Sequence, residues 1–373
     1  MKKNILKNDG VQTLIASLLC ILVGMIVGYI ALLIINPSGA GEAISVIIKN
    51  FMYYPSQPAQ LKYLGNTLVK TAPLVMCSLS VLFAYKVGLF NIGVAGQYTL
   101  GIGACLYCAL ALQMPWWACI LAAVAASAAA GAFSGFLKAK CNVNEVISCI
   151  MLNWIGLYCV NTLLTPVKES TSPYTVPLRT GNPGALIPSM GLGEFFTKNA
   201  YVTIALPMTL LICLAIWIVL DKTKLGYELK ATGNNKNAAK YAGMKENRNI
   251  VLTTAIAGGL AGMGAALLYL TGYEQWSCSH SSLPAMGFNG IAAAFLGGLN
   301  PIGVIFSSYF IQHITAGGAY VDKTMYCAQV SDFISAIIIY LCGFVLFVKM
   351  AMNKSIAKHE EKAAAKNQEG GKN

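Results

Sequence analysis

Uncharged apolar runs long enough to cross a membrane recur along almost the whole of this chain. A spanning helix needs roughly 20 apolar residues, and runs of that order occur between Leu14 and Val348. The composition agrees, because 56% of the 373 residues are hydrophobic and only 11% are charged. These values, with a mean hydropathy of +0.62, indicate an all-α integral membrane protein.

We predict about ten transmembrane helices, with both termini in the cytosol. Nineteen of the 26 Lys and Arg residues then lie on the cytosolic side, as the positive-inside rule requires. The first run follows a basic start like that of a signal peptide, but it is longer than the usual stretch of about 7–15 residues and is interpreted as a retained helix. The predicted segments are Leu14–Ile35, Asn66–Tyr85, Ile92–Gln113, Ala118–Leu137, Val146–Leu164, Tyr201–Leu220, Ile250–Thr271, two short pieces within Pro284–Gly318, and Thr324–Val348.

The domain organisation follows from these segments. Residues 1–352 are predicted to be one transmembrane domain, residues 353–373 a charged, disordered cytoplasmic tail, and Thr165–Ala200 an external loop. The net charge of +12 fits basic loops beside anionic lipid headgroups. Because no basic–aromatic stripe or zinc-finger spacing occurs, we expect contact with membrane lipid and no nucleic-acid partner.

Glycine and proline interrupt the apolar pattern in places. Gly297–Pro301 divides Pro284–Gly318 into two short pieces, and Gly88–Gly93 precedes the third predicted span. Broken helices of this kind are typical of a transport path, because their free backbone groups need water or substrate. Gly88–Gly93 is also similar to Gly287–Ile291, which favours an internal repeat, although so short a similarity can arise by chance.

No catalytic constellation or cofactor motif is found. The phosphate-binding G-x-x-x-x-G-K-[ST] pattern and the H-E-x-x-H zinc pattern are missing from the sequence. The C-x-x-C pair, Cys105 and Cys108, has no His or acidic neighbour, so buried small side chains explain it better than a metal or redox role. We therefore expect a chain that is not an enzyme and that holds no cofactor of its own.

Ionisable residues at membrane depth are costly and often functional. Snorkelling, helix-end capping or the helix dipole explains each of them, and this structural interpretation is favoured. The residues in question are Lys70, Lys86, Glu145, His313 and Asp332.

Uncharged polar side chains with aromatic neighbours gather near the interruptions. Amides bond hydroxyl groups and aromatic side chains stack on flat rings, so such a set suits a neutral polar solute. The alternative is that the amides join helices to one another; this is the safer interpretation for any single residue, whereas the set favours a path. The candidate path residues are Phe90, Asn91, Gly93, Gln97, Asn153, Trp154, Phe288 and Asn289.

One polar segment, Asp221–Arg248, separates two of the predicted spans. It carries ten of the 40 charged residues, and its excess of Lys places it in the cytosol. Asn234 and Asn235 are suited to cap a short helix, and Gly243 is placed to end that helix in the left-handed conformation. The segment is therefore predicted to contain one short helix within a loop.

The predicted short helix has a distinctive face. Ala238, Tyr241 and Ala242 are spaced to lie on one side of it. That side is narrow and carries a single aromatic ring, which suits insertion into a groove on a partner protein. The alternative is a solvated connecting loop.

Several stretches of the chain are similar to sequences of a known family. Leu225–Ala231 followed by Ala238–Met244 resembles the cytoplasmic coupling loop of ABC-transporter permeases of the branched-chain amino acid, simple-sugar and nucleoside import family. Phe90–Gln97, which reads FNIGVAGQ, is similar to the F-N-I-G-x-x-G-Q signature of the nucleoside-type permeases. Asn144–Ile147 and Asn300–Gly303 match that subgroup too.

The likeness extends from about Thr67 to Val348. Two positions depart from the subgroup: Ala95 stands where many nucleoside-type members have Glu, and Asn289 where they have Asp. These two departures bear on which solute is transported and leave the resemblance to the family unchanged.

The resemblance implies a type II ABC-importer-like permease fold. Its partners would be ABC ATPase subunits that bind ATP and Mg²⁺, a second permease (homologous or identical) and an extracellular substrate-binding protein. The expected activity is import of nucleosides by alternating access, with simple sugars or a flavin-like vitamin as alternatives and an ion-coupled secondary transporter as the rival from another class. The coupling residues implied are Gly226, Glu228, Ala238, Ala239, Tyr241, Ala242 and Gly243.

Overall fold

The computed structural model describes residues 9–322 and 324–326, and beyond these residues 333, 336–337, 340–341, 343–345 and 347–355. Within the continuous part the chain forms thirteen α-helices and no β-strand. They are α1 (Asp9–Ile35), α2 (Ala40–Lys49), α3 (Gln57–Lys86), α4 (Val94–Leu110), α5 (Trp116–Cys141), α6 (Glu145–Leu164), α7 (Leu178–Gly181), α8 (Ala205–Lys222), α9 (Lys224–Asn234), α10 (Lys236–Tyr241), α11 (Glu246–Tyr269), α12 (Ala285–Leu296) and α13 (Pro301–Gly318).

Six of these helices are long and apolar enough to cross a membrane: α1, α3, α5, α6, α8 and α11. The helices α4 and α12 are apolar but shorter. The all-helical membrane class predicted from the sequence is confirmed. The predicted last span, Thr324–Val348, and Asp332 lie largely outside the described residues, so the count of ten crossings and the internal repeat remain predictions.

Helix α3 forms the centre of the bundle. Every residue from Thr71 to Ala84 is buried, and α11 is buried along most of its length as well. A helix that is apolar all round must be surrounded by other helices or by lipid, and α3 is surrounded by α8, α11, α12 and α13. By contrast, α1 leaves large apolar side chains such as Leu22 and Ile34 exposed.

Small residues let α5 and α11 pack closely. A Cβ atom added at Gly131 would lie 3.3 Å from the Cα atom of Gly258, and one added at Gly258 would lie 3.2 Å from the Cα atom of Gly131. A methyl group at Gly135 would overlap the hydroxyl of Thr254. Because lipid tails are as apolar as the helix side chains, helices in a membrane associate mainly through close packing of this kind.

The predicted interruption at Gly297–Pro301 is confirmed as the junction of α12 and α13. Gly298 and Leu299 both have positive φ, +64° and +54°. Asn300 then begins α13, since its side-chain oxygen accepts hydrogen bonds from the nitrogens of Ile302 at 2.9 Å and Gly303 at 3.4 Å. Side-chain capping of this kind satisfies backbone groups that the break frees.

The similar segment Gly287–Ile291 proves to be helical rather than interrupted. It lies in the first turns of α12, which starts directly after Pro284. Gly287 and Gly290 are buried there because neighbouring backbone comes close: an added Cβ atom at Gly287 would lie 2.5 Å from the Cα atom of Ala95. The segment therefore packs directly on the N-terminal turn of α4.

Candidate functional site

The predicted coupling segment folds into two helices rather than one helix in a loop. Thr223 begins α9, because its hydroxyl accepts a hydrogen bond from the nitrogen of Gly226 at 3.1 Å. Leu229 and Thr232 are buried, so α9 packs against its neighbours although its sequence is polar. A helix that buries only one side lies on the protein surface, and its helix propensity alone does not predict it.

Helix α10 begins and ends as predicted. The side-chain oxygen of Asn235 accepts a hydrogen bond from the nitrogen of Ala238 at 3.0 Å, whereas Asn234 is the last residue of α9. Gly243 has φ +78°. Its nitrogen donates to the carbonyl of Lys240 and the nitrogen of Met244 donates to the carbonyl of Ala239, each at 3.0 Å. This pair of bonds is the Schellman motif.

The predicted docking face of α10 is exposed. Tyr241 is 92% exposed, and Ala238 and Ala242 are exposed beside it. A tyrosine ring held almost fully in solvent on a capped helix fits a surface that a partner covers, since aromatic side chains dominate the energetics of protein interfaces. We call Ala238, Tyr241 and Ala242 the α10 face.

The other residues of the predicted coupling set make contacts within this chain. Ala239 is 3% exposed, so it packs against the rest of the chain and is not part of the α10 face. Gly226 is buried at the α8–α9 junction, where an added Cβ atom would lie 2.6 Å from the carbonyl oxygen of Leu220. Glu228 pairs with Lys224 at 3.7 Å.

Two of the candidate path amides bond each other. Asn91 Nδ2 donates to Gln97 Oε1 at 2.8 Å, and Gln97 Nε2 donates to Asn91 Oδ1 at 3.2 Å. Asn91 Nδ2 also donates to the hydroxyl of Ser80 in α3 at 3.0 Å. Both amides are 4% exposed. The pair thus fixes the interrupted segment between α3 and α4.

The third candidate amide, Asn153, joins α6 to the start of α4. Its Oδ1 accepts a hydrogen bond from the nitrogen of Gly96 at 2.9 Å, and its Nδ2 donates to the carbonyl of Ile92 at 3.1 Å. The first backbone N–H groups of a helix have no partner within that helix. A side chain from α6 therefore completes the N-terminal turn of α4, as the interhelical alternative predicts.

The amides also border small clefts. Gly93, Gln97 and Asn153 line one cleft that has room for about one water molecule. Phe90 and Asn91 line another of similar size. The fold thus brings these five candidates together around α4.

The remaining candidates are more open. Trp154 is 41% exposed and stacks on Tyr158 with the ring centroids 6.3 Å apart. Phe288 is 42% exposed, and Asn289 beside it is half-buried. Phe288 and Asn289 lie at the end of α12 that packs on α4, whereas Trp154 faces away from the bundle. A role of these residues in binding solute stays a prediction.

Three of the ionisable residues, Lys70, Glu145 and His313, have polar partners, whereas Lys86 is exposed at the end of α3. Lys70 Nζ lies 3.0 Å from Glu274 Oε1, and Lys138 forms an ion pair with Glu145. The Nε2 atom of His313 lies 2.9 Å from the carbonyl oxygen of Ile48. Among the described residues, no group of three His, Cys, Asp or Glu side chains is arranged to hold a metal ion.

Burial raises the pKa of Tyr273, which lies next to the Lys70–Glu274 pair outside the spanning helices. The nearby charge of Lys70 acts in the opposite direction. The Lys70 ammonium lies 5.3 Å from the centre of the Tyr273 ring. The phenol is therefore neutral at physiological pH and contributes a cation–π contact.

A bundle of apolar helices with an interrupted span and an exposed, capped polar helix fits the membrane subunit of a transporter. The chain belongs to the family of permease components of the branched-chain amino acid transport system, whose model matches residues 63–343.

Named relatives fit this family. The chain is 31% identical over 300 residues to the guanosine ABC transporter permease protein NupP of Bacillus subtilis, covering 79% of this chain and 85% of the relative. It is 29% identical over 372 residues to the nucleoside ABC transporter permease protein NupB of Lactococcus lactis, covering 96% and 98%. It is also 30% identical over 267 residues to the glucose ABC transporter permease protein TsgB13 of Haloferax volcanii, covering 69% and 70%. The chain is thus an ABC-importer permease and an integral membrane protein.

Proposed function

We propose that this chain is the permease subunit of an ATP-driven importer that carries nucleosides into the cell. The observation that carries the proposal is the α10 face, a solvent-exposed tyrosine and two alanines on a helix fixed by both of its caps. A helix of this size that inserts into a groove gains affinity chiefly through its aromatic anchor. The partner that fits is the ATPase subunit of the importer.

The ATPase supplies the energy in this proposal, and the chain supplies the path. ATP and Mg²⁺ bind to the partner, whose closure displaces α10 and alternates the access of the path between the two sides. A second permease, identical or homologous, and an extracellular substrate-binding protein complete the importer. The α9–α10 segment and both termini then face the cytosol.

Nucleosides are the favoured cargo for two reasons. Two relatives that the chain matches over most of its length are named for guanosine and nucleoside transport. The candidate path combines amides with the exposed ring of Phe288, and such groups bond hydroxyls and stack on flat bases. The glucose permease relative makes simple sugars the second candidate.

Reconstituted transport tests the proposal. The chain, its partner permease and the ATPase are placed in proteoliposomes with the binding protein, and uptake of radiolabelled guanosine, glucose and riboflavin is measured. We expect ATP-dependent guanosine uptake that persists with an ionophore. Glucose or riboflavin uptake in place of guanosine would change the cargo, whereas uptake without ATP that an ionophore abolishes would point to an ion-coupled carrier.

A further inference from the structure

The C-terminal end of α9 touches the turn between α3 and α4 with no side chain between the two backbones. A methyl group added at Gly233 would overlap the carbonyl of Val87 and lie 2.9 Å from the nitrogen of Gly88. One added at Gly88, whose φ is +79°, would lie 2.8 Å from the carbonyl oxygen of Gly233. Glycine is therefore required on both sides of the contact.

A polar contact holds α9 to α11 beside this point. Asn249 Nδ2 donates to Thr232 Oγ1 at 2.8 Å, and Thr232 Oγ1 donates to the carbonyl of Glu228 at 2.8 Å. Thr232 and Asn249 are 4% and 3% exposed. Since separating buried hydrogen-bonded groups is unfavourable, a displacement of α9 is expected to move its neighbours too.

This contact lies between the two candidate sites. Toward α10, only Asn234 separates Gly233 from Asn235, the residue that caps α10. Toward the core, the turn leads from Gly88 to Asn91, whose side chain bonds Ser80 and Gln97. The path from the α10 face to the start of α4 is thus short and made of backbone contacts and buried hydrogen bonds.

We propose that Gly88 and Gly233 are positioning residues that transmit the displacement of α10 to the N-terminal end of α4, with Thr232 and Asn249 keeping α9 in register. The inference rests on the proposed function and adds the route of coupling within this chain. Side chains at either glycine would part the two backbones. The ATPase would then still bind, because the α10 face is unchanged, but its motion would not reach α4.

The first test is Gly233→Ala in the reconstituted importer. We expect the ATPase subunit to co-purify and to hydrolyse ATP at the basal rate, while stimulation by the binding protein and guanosine uptake are lost together. The matched control is Gly41→Ala in α2, an exposed glycine at which an added Cβ atom would have no neighbour within 4 Å. This control should leave uptake unchanged.

A second variant covers the case in which Gly233→Ala does not assemble. Thr232→Val keeps the shape of the side chain and removes its hydroxyl, and we expect fewer guanosine molecules imported per ATP with normal co-purification. Wild-type stoichiometry in Thr232→Val and, where it assembles, in Gly233→Ala would overturn the route. Failure of the wild-type importer to take up guanosine with ATP would instead contradict the proposed function.

Discussion

Gly243 matters through its backbone conformation rather than through lack of space. An added Cβ atom would have no neighbour within 4 Å, but φ is +78°. We expect Gly243→Val to abolish binding-protein-stimulated ATP hydrolysis, because a β-branched residue there is strained by about 1–3 kcal/mol. The same substitution at Gly41, which is equally open without a positive φ, should be silent. Normal coupling in Gly243→Val would reduce the α9–α10 segment to a passive connector.

Tyr241 is expected to act on the partner and not on the fold. Because its side chain is 92% exposed, Tyr241→Ala should leave the melting temperature of the isolated chain unchanged. Removal of an interface anchor typically costs about 2 kcal/mol or more in binding, so co-purification of the ATPase should fall sharply. Lys236→Gln, the loss of an exposed charge worth about 0–1 kcal/mol, serves as the control. Equal ATPase recovery from both variants would contradict the docking role.

At the scale of the helices, Asn153 joins α6 to α4. Asn153→Ala leaves the nitrogen of Gly96 and the carbonyl of Ile92 without their partner, and an unsatisfied buried group costs about 1–3 kcal/mol. We expect a lower melting temperature of the purified chain in detergent. Ile155→Ala on the same helix, where the side chain is 57% exposed, should change it much less. A melting temperature equal to that of the wild type would show that water or another group replaces the amide.

The elements that the sequence predicts best are those set by local chemistry. The caps of α10 and the α12–α13 junction depend on Asn, Gly and Pro acting within a few residues of one another. Helix α9 was expected to be a loop, because its polar sequence becomes helical only through burial of residues such as Leu229. Tertiary packing outweighs propensity in such a helix.

The contacts of the candidate path residues could not be predicted from the sequence, because they join positions far apart along the chain. Asn153 and Gly96 are separated by 57 positions, and Gly88 meets Gly233 from a different part of the chain. A single sequence contains no signal for such pairs beyond unexplained glycines and amides inside apolar regions. Only the structure shows that hydrogen bonds of Asn91 and Asn153 join α4 to neighbouring helices, and a role of Asn91, Gln97 and Asn153 in the path stays a prediction.

For the whole molecule, the orientation in the membrane is a prediction from the distribution of Lys and Arg. In a variant without the 12 cysteines, Lys236→Cys and Thr180→Cys are labelled with a membrane-impermeant thiol reagent on intact cells. Both positions are exposed, so access and not burial decides the result. We expect labelling at position 180 and, at 236, labelling only after the membrane is opened. Labelling of position 236 from outside would reverse the topology and the proposed side of ATPase binding.

The transport path is best tested where α12 meets α4. Phe288 is 42% exposed, whereas the natural Cys77 is fully buried, so Phe288→Cys in a variant that keeps Cys77 as its one natural cysteine provides a reactive thiol, with Cys77 as the buried control. If the α12–α4 contact lines the path, a water-soluble thiol reagent should modify position 288 and stop guanosine uptake, and ATP turnover should change the rate of modification as access alternates. Cys77 should stay unmodified throughout. If position 288 reacts in no state of the importer, α12 and α4 serve packing alone and the solute crosses elsewhere, most simply between this chain and the second permease.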